Sequence, residues 1–228
     1  MTIKLTALLH LADPTLPIGG FNHSAGLETF VQEGAVDSSS RLKEYVETQL
    51  LQNWIHNDGA YVSLAYSTTL AGDAEALETL DHDIGAAKTP REIREASVKL
   101  GVRLLKIFAR YESHPMVNAF QTALTQKRVQ GFYPLAFGLI AAATAQTKED
   151  TLTAFYYNAA VGAVTNGVKL IPLSQNDGQD ILFALRETIG QAVSLSMTPD
   201  LNWLGVASPA ADIRAMQHER LYTRLYMS

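Results

Sequence analysis

A chain of 228 residues, 47% hydrophobic and 18% charged, is long enough to bury a sizeable core and too apolar to be intrinsically disordered. It contains no cysteine, which excludes disulfides, thiolate zinc sites, iron–sulfur ligation and cysteine nucleophiles. A formal net charge of −5, from 18 Lys and Arg against 23 Asp and Glu, opposes nonspecific binding to nucleic acid or anionic lipid unless charge is locally segregated.

In chain order, residues 1–12 place a lysine before a short apolar run, as a signal peptide does. The run contains Thr6 and His10, and it closes at Asp13-Pro14 without a small-residue cleavage site. The glycines of the following block predict a tight turn before a helix. Helical spacing then runs from about Ser40 to Leu70, with a break expected near Asn57-Asp58-Gly59, and again from about Asp73 to Asp83. Thr89, Pro90 and Glu92 read as a capping box with proline at the first helical position. Behind them Ile93, Ser97, Leu100, Leu104, Ile107, Phe108 and Tyr111 form one apolar face, and the helix is expected to stop near His114-Pro115.

A helix is predicted over Pro134 to Ala145, and the apolar stretch within it is only about half the ~20 residues of a membrane span. Another covers Asp150 to Leu170. Ser174 with Asp177 opens a second capping box, and Ile181, Leu182, Leu185, Ile189 and Val193 continue its apolar face. Ser208-Pro209 opens a last segment in which Ile213, Met216, Leu221, Tyr222 and Leu225 recur at helical spacing. No period-2 strand, internal repeat or flexible linker stands out. The expectation is a soluble, cytoplasmic, all-α bundle of about eight to ten helices, forming one domain over residues 1–228.

Several catalytic motifs fail on inspection. The PIGGFNHSAGLE block has Leu27-Glu28 where a phosphate loop needs Lys-Ser/Thr, so nucleotide binding is not expected there. The six histidines are dispersed; none pair at i, i+4, and His218-Glu219 lacks the second histidine of a zincin motif. Two segments carry more than packing requires. Lys169 ends an apolar helix just before Pro172, Ser174 and Gln175, where a cation also suits the helix dipole. The terminal HERLYTRLYMS concentrates Arg220, Tyr222, Arg224 and Tyr226; these residue types anchor interfaces, and a helix docked on its own core would use them too.

Four ordered blocks, Asp13 to Glu28, the middle helix, Gly167 to Gln175 and the C-terminal His218 to Ser228, together resemble the UreF family of urease accessory proteins. The first block carries the family motif at Pro17, Gly19, Gly20, Phe21, Ser24, Gly26, Leu27 and Glu28. The resemblance implies a non-catalytic, homodimeric protein that joins the UreD/UreH scaffold and the GTPase UreG to help insert nickel into apo-urease. It implies no tightly bound cofactor, only transient passage of nickel, and neither a nucleic-acid nor a membrane partner. By the same resemblance Lys169, Pro172 and Gln175 face the GTPase. Residues 208–228 form the scaffold-binding tail, with Met216, His218, Glu219, Arg220, Tyr222, Arg224, Leu225 and Tyr226 at the interface.

Two other classes compete. A dimeric all-α transcriptional regulator needs a helix with clustered cations near one end, whereas the first helices hold only Lys4, Arg41 and Lys43. A helical metal-dependent enzyme would draw on His10, Asp13, His23, His56 and Asp58.

Overall fold

The computed structural model describes residues 2–20, 23–111 and 113–227. Among them the chain forms α1 (Thr2–Leu11), α2 (Leu27–Gln32), α3 (Ser39–Thr48), a π-helical segment (Gln49–Trp54), α4 (Asp58–Ala71), α5 (Ala74–Ala87) and α6 (Arg91–Phe108). It continues with α7 (Pro115–Thr125), α8 (Tyr133–Ala143), α9 (Lys148–Leu170), α10 (Gln175–Ala184), α11 (Arg186–Ser196), a 3₁₀ turn (Leu201–Trp203) and α12 (Pro209–His218). The all-α expectation holds, and no strand occurs among the described residues.

Among the described residues twelve α-helices replace the predicted eight to ten, for local reasons. The expected Ser40–Leu70 helix is divided, as foreseen, just before Asp58, where Asn57 leaves helical geometry. The apolar face after Ser174 is two helices parted at Leu185. The chain at His114-Pro115, read as the end of one helix, is the start of α7: His114 caps it by accepting the Met116 N–H, with proline at the first position. α6 itself ends earlier, at Phe108. Thr89 does not cap α6; Pro90 occupies the N-cap and makes no side-chain cap bond, and Glu92 is engaged elsewhere. The Ser174–Asp177 box forms as expected, Ser174 Oγ accepting the Asp177 N–H at 3.1 Å and Asp177 accepting the Ser174 N–H at 2.8 Å.

α8 organises the core. It is apolar on every side and buried from Pro134 through Ala142, the pattern of a helix enclosed by protein. No helix among the described residues is long and apolar enough to cross a membrane. α4 and α6 pack on α8, and the approach of α4 depends on Gly138, where a Cβ would stand 2.4 Å from the Val62 carbonyl oxygen. The 23-residue α9 runs beside this layer and gathers α1, α2, α3, α10 and α11 around it. One continuous apolar cluster spans Leu11 to Val193.

The loop entering α8 is fixed by the buried Asp81, whose carboxylate accepts backbone N–H groups from Gln130 (2.6 Å), Gly131 (2.8 Å) and Phe132 (3.3 Å). Burial pushes its pKa up, and the three donors pull against that rise. An Asp81→Ala chain leaves three amides without their acceptor, at an expected cost of about 3 kcal/mol. Guanidinium denaturation of the variant against Asp81→Asn, which keeps one acceptor oxygen, measures the loss.

Candidate functional site

The N-terminal block and the C-terminal tail, about 190 residues apart in sequence, are bound to each other. Gly26 precedes α2 in a left-handed conformation (φ 89°), and a side chain there would also come within 3.2 Å of the Ala215 backbone of α12. Ser24 Oγ accepts the Glu28 N–H at the start of α2, and Leu27 and Glu28 are both buried. Pro17 and Gly20 are exposed, and Gly19 lies between them at the surface turn; Phe21 lies outside the described residues.

Glu28, 2% exposed, is the centre of the junction. Its Oε1 accepts the Leu225 N–H at 2.7 Å, and its Oε2 accepts the Tyr226 N–H at 3.1 Å and meets His218 Nε2 at 3.0 Å. The other imidazole nitrogen, Nδ1, meets Glu92 Oε2 at 2.9 Å, and Arg224 donates to Glu92 Oε1 at 2.8 Å. His218 is fully buried between the two carboxylates. A carboxylate offers only acceptors, so two such contacts to one imidazole require a proton on each ring nitrogen or on one of the acids. Arg91–Glu219 (2.7 Å), Arg214–Glu33 (2.6 Å) and Gln32 to the Thr223 carbonyl (3.0 Å) complete the seam.

The expected tail residues therefore divide into two sets. His218 and Tyr226 are buried against the chain itself, and Arg224 and Glu219 are held in ion pairs. Met216, Arg220, Tyr222 and Leu225 face outward, Tyr222 with its whole side chain exposed. Nothing in the spacing of the sequence disclosed that Glu28 and Glu92 hold His218, because the partners lie 190 and 126 residues away.

The residues of the second predicted site lie at the end of α9 and in the turn after it. Lys169 is exposed in its last turn, and Pro172 and Gln175 are exposed beside it, while Ile171 between them is buried. Asn166, one turn earlier on α9, donates from Nδ2 to the His23 carbonyl at 2.7 Å, tying this region to the N-terminal block. A cavity of about 330 Å³ runs inward from here, bordered by Lys169, His23, Asn166, Asn158, Asn53 and Asp212. Lys88 and Asp58 form an ion pair on its wall at 2.9 Å.

Of the residues that motivated a metal-dependent enzyme, Asp13, His23 and Asp58 border the same cavity without forming one ligand set among the described residues. His10 packs on Phe108 (ring centroids 5.1 Å apart), His56 on Trp203 (5.8 Å), Asp13 accepts from Thr15, and Asp58 pairs with Lys88. Among the described residues no group of three or more His, Cys, Asp or Glu is placed to hold a metal ion.

The family model UreF matches residues 36–186, two thirds of the chain, including the whole of α9 and the Lys169–Gln175 turn. The chain belongs to the UreF family. Relatives carry the match through the N-terminal block and the tail, which lie outside those residues. A protein named urease accessory protein UreF from Actinobacillus pleuropneumoniae serotype 5b (strain L20) is 64% identical over 225 residues, 99% of each chain. One of the same name from Haemophilus influenzae (strain PittEE) is 66% identical over 224 residues, 98% of this chain and 95% of the relative. One from Kocuria rhizophila is 35% identical over 230 residues, 98% and 97% of the two chains. The printed name of these relatives makes them accessory proteins of urease.

Proposed function

We propose that this chain is the non-catalytic subunit that bridges the UreD/UreH scaffold and the GTPase UreG, modulates GTP hydrolysis, and helps nickel reach apo-urease. On this reading it works in the cytoplasm as a homodimer, and nickel is its cargo rather than a resident cofactor. The observation that carries it is the presence of two separate outward-facing patches on one helical frame. Lys169, Pro172 and Gln175 occupy one patch; Met216, Arg220, Tyr222 and Leu225 occupy the other.

The second patch suits scaffold binding because its backbone is already ordered. The Leu225 and Tyr226 amides are held by Glu28, so exposed Tyr222 and Arg220 lose little chain entropy when a partner covers them. At the first patch the exposed Lys169 ammonium is available to meet a carboxylate or switch segment of the GTPase, and its position at the helix end is compatible with this role. The adjoining cavity is lined mostly by apolar side chains, with Asn53, Asn158, Asn166 and a few charged groups set among them, and scattered polar groups of this kind suit a cargo that must leave as readily as it enters.

The test is urease activity per mole of urease in a host lacking the gene, complemented with wild type or Lys169→Ala. The gene-deleted host is expected to make normal amounts of inactive, nickel-poor urease. Lys169→Ala is expected to assemble with its partners yet lower activation about tenfold, the effect of losing a contact of roughly 1.4 kcal/mol. Fully active, nickel-loaded urease in the deleted host would remove the proposal. An unfolded variant would return Lys169 to the role of a helix-end cation.

A further inference from the structure

The negative charge of the chain is not evenly spread. α6 carries Lys99, Arg103 and Lys106 at i, i+4 and i+7, and Arg110 follows at i+11 in the turn after the helix. Steps of four and three residues set the three helical cations in one row on one face, about 10 Å long by helix rise. All four are exposed. Among the described residues none of them is paired with a carboxylate: Arg103 donates from Nη1 to the Ile18 carbonyl at 2.7 Å, and Arg110 lies over the Tyr111 ring at 5.7 Å. The acids of the same helix, Glu92 and Glu95, lie in its first two turns, Glu95 one turn before Lys99, and they are engaged by His218, Arg224 and Arg91.

Neighbouring like charges repel along a helix, so the row is unfavourable for folding. The dipole accounts for Lys106, in the last turn, but its effect does not reach two turns back to Lys99. The row adjoins the N-terminal loop: Arg103 holds Ile18, and Lys99 and Arg103 lie near His23, whose pKa is pushed down by burial first and by these two cations next. His23 in turn is tied through its carbonyl to Asn166 on α9, one turn before Lys169.

We infer that the Lys99–Arg103–Lys106–Arg110 ridge is an electrostatic docking rail for an acidic protein face, carried by the partner that meets Lys169. This rests on the reading above only for which partner that is. A protein fits better than a nucleic acid. Tight duplex binding at physiological salt draws on about six to ten phosphate contacts, and four cations on an otherwise acidic chain fall short of that. Such a rail acts on the association rate, which salt screens.

The test measures association of purified GTPase UreG with the full chain on its UreD/UreH scaffold, at about 50 and about 300 mM NaCl, for wild type and a Lys99→Ala/Lys106→Ala/Arg110→Ala variant. Arg103 is kept because it holds Ile18. The variant is expected to associate about tenfold more slowly at low salt, with the difference closing at high salt. Its thermal midpoint is expected to be unchanged or higher, since repulsion is relieved. Equal rates for both chains at low salt overturn the rail while leaving the bridging reading intact. A wild-type complex that binds no GTPase at either salt overturns both. Binding of a duplex of about 20 base pairs by wild type but not by the variant reassigns the ridge to a polyanion and also overturns the proposal.

Discussion

A Glu28→Ala chain is expected to lose about 4 kcal/mol of stability and to release its C-terminal tail. The removed carboxylate accepts from the Leu225 and Tyr226 amides and contacts His218 Nε2, and all of these contacts are buried or partly buried. Breaking a buried charged contact by deleting one partner costs about 3–5 kcal/mol, because what remains is desolvated and unpaired. The other contacts of the seam are more exposed: Glu92 with His218 and Arg224, Arg91–Glu219, Arg214–Glu33, and Gln32 with the Thr223 carbonyl. Thr29 Oγ1, Arg214 Nε and the Tyr226 hydroxyl, all in α2, α12 or the tail, are buried without hydrogen-bond partners among the described residues. Glu28→Gln is no full rescue, since in either orientation its amide nitrogen stands where the carboxylate accepts a backbone N–H.

The measurements are a guanidinium midpoint, limited proteolysis read by mass, and hydrogen exchange at Leu225 and Tyr226. A chain truncated before Met216 supplies the comparison: if Glu28 acts through the tail, adding Glu28→Ala to the truncation changes stability far less than it does in the full chain. An unchanged midpoint with a protease-resistant tail in Glu28→Ala would show that the junction is dispensable. On the bridging reading, Glu28→Ala also weakens association with the UreD/UreH scaffold, because Tyr222 and Arg220 lose their fixed backbone.

A second large effect is expected from one methyl group. Gly138→Ala places a Cβ 2.4 Å from the Val62 carbonyl oxygen and 3.1 Å from the Tyr66 nitrogen, both backbone atoms of α4 that cannot rotate away. α4 and α8 make the most extensive helix packing in the molecule, so the strain falls on the centre of the core. Overpacking of this kind costs about 1–3 kcal/mol, and the rigid backbone on both sides puts the expectation at about 3 kcal/mol. Gly162→Ala on α9 is the matched control. Open space surrounds the position its new methyl would take, with no atom within 4 Å, so this change is expected to be neutral or stabilising by up to about 1 kcal/mol. Equal thermal midpoints for the two variants would refute the close-approach argument.

Local signals were legible where both partners of an interaction lie within a few residues. The Ser174–Asp177 box, the break before Asp58 and the cation at the end of α9 each depend on neighbours in sequence, and each forms as read. The Thr89–Glu92 box fails for the opposite reason. Glu92 had a suitable local use, but His218 and Arg224 supply stronger charged partners from 126 and 132 residues away. Likewise His114-Pro115 carried the right local meaning, an end of helical continuity, yet sequence alone did not tell an ending from a beginning.

By itself, then, the sequence determined the all-α class, most helix positions and, through its four blocks, the family. Periodicity, caps and motif spacing are properties of short stretches, and short stretches survive reading in one dimension. Only the tertiary structure decided that Glu28, Glu92 and His218 form one buried junction, that Tyr226 faces inward while Tyr222 faces out, and that Lys169 shares a cavity with the N-terminal block. Those outcomes depend on which helix faces meet, and a buried charge takes whichever partner the packing brings within about 3 Å, however distant along the chain.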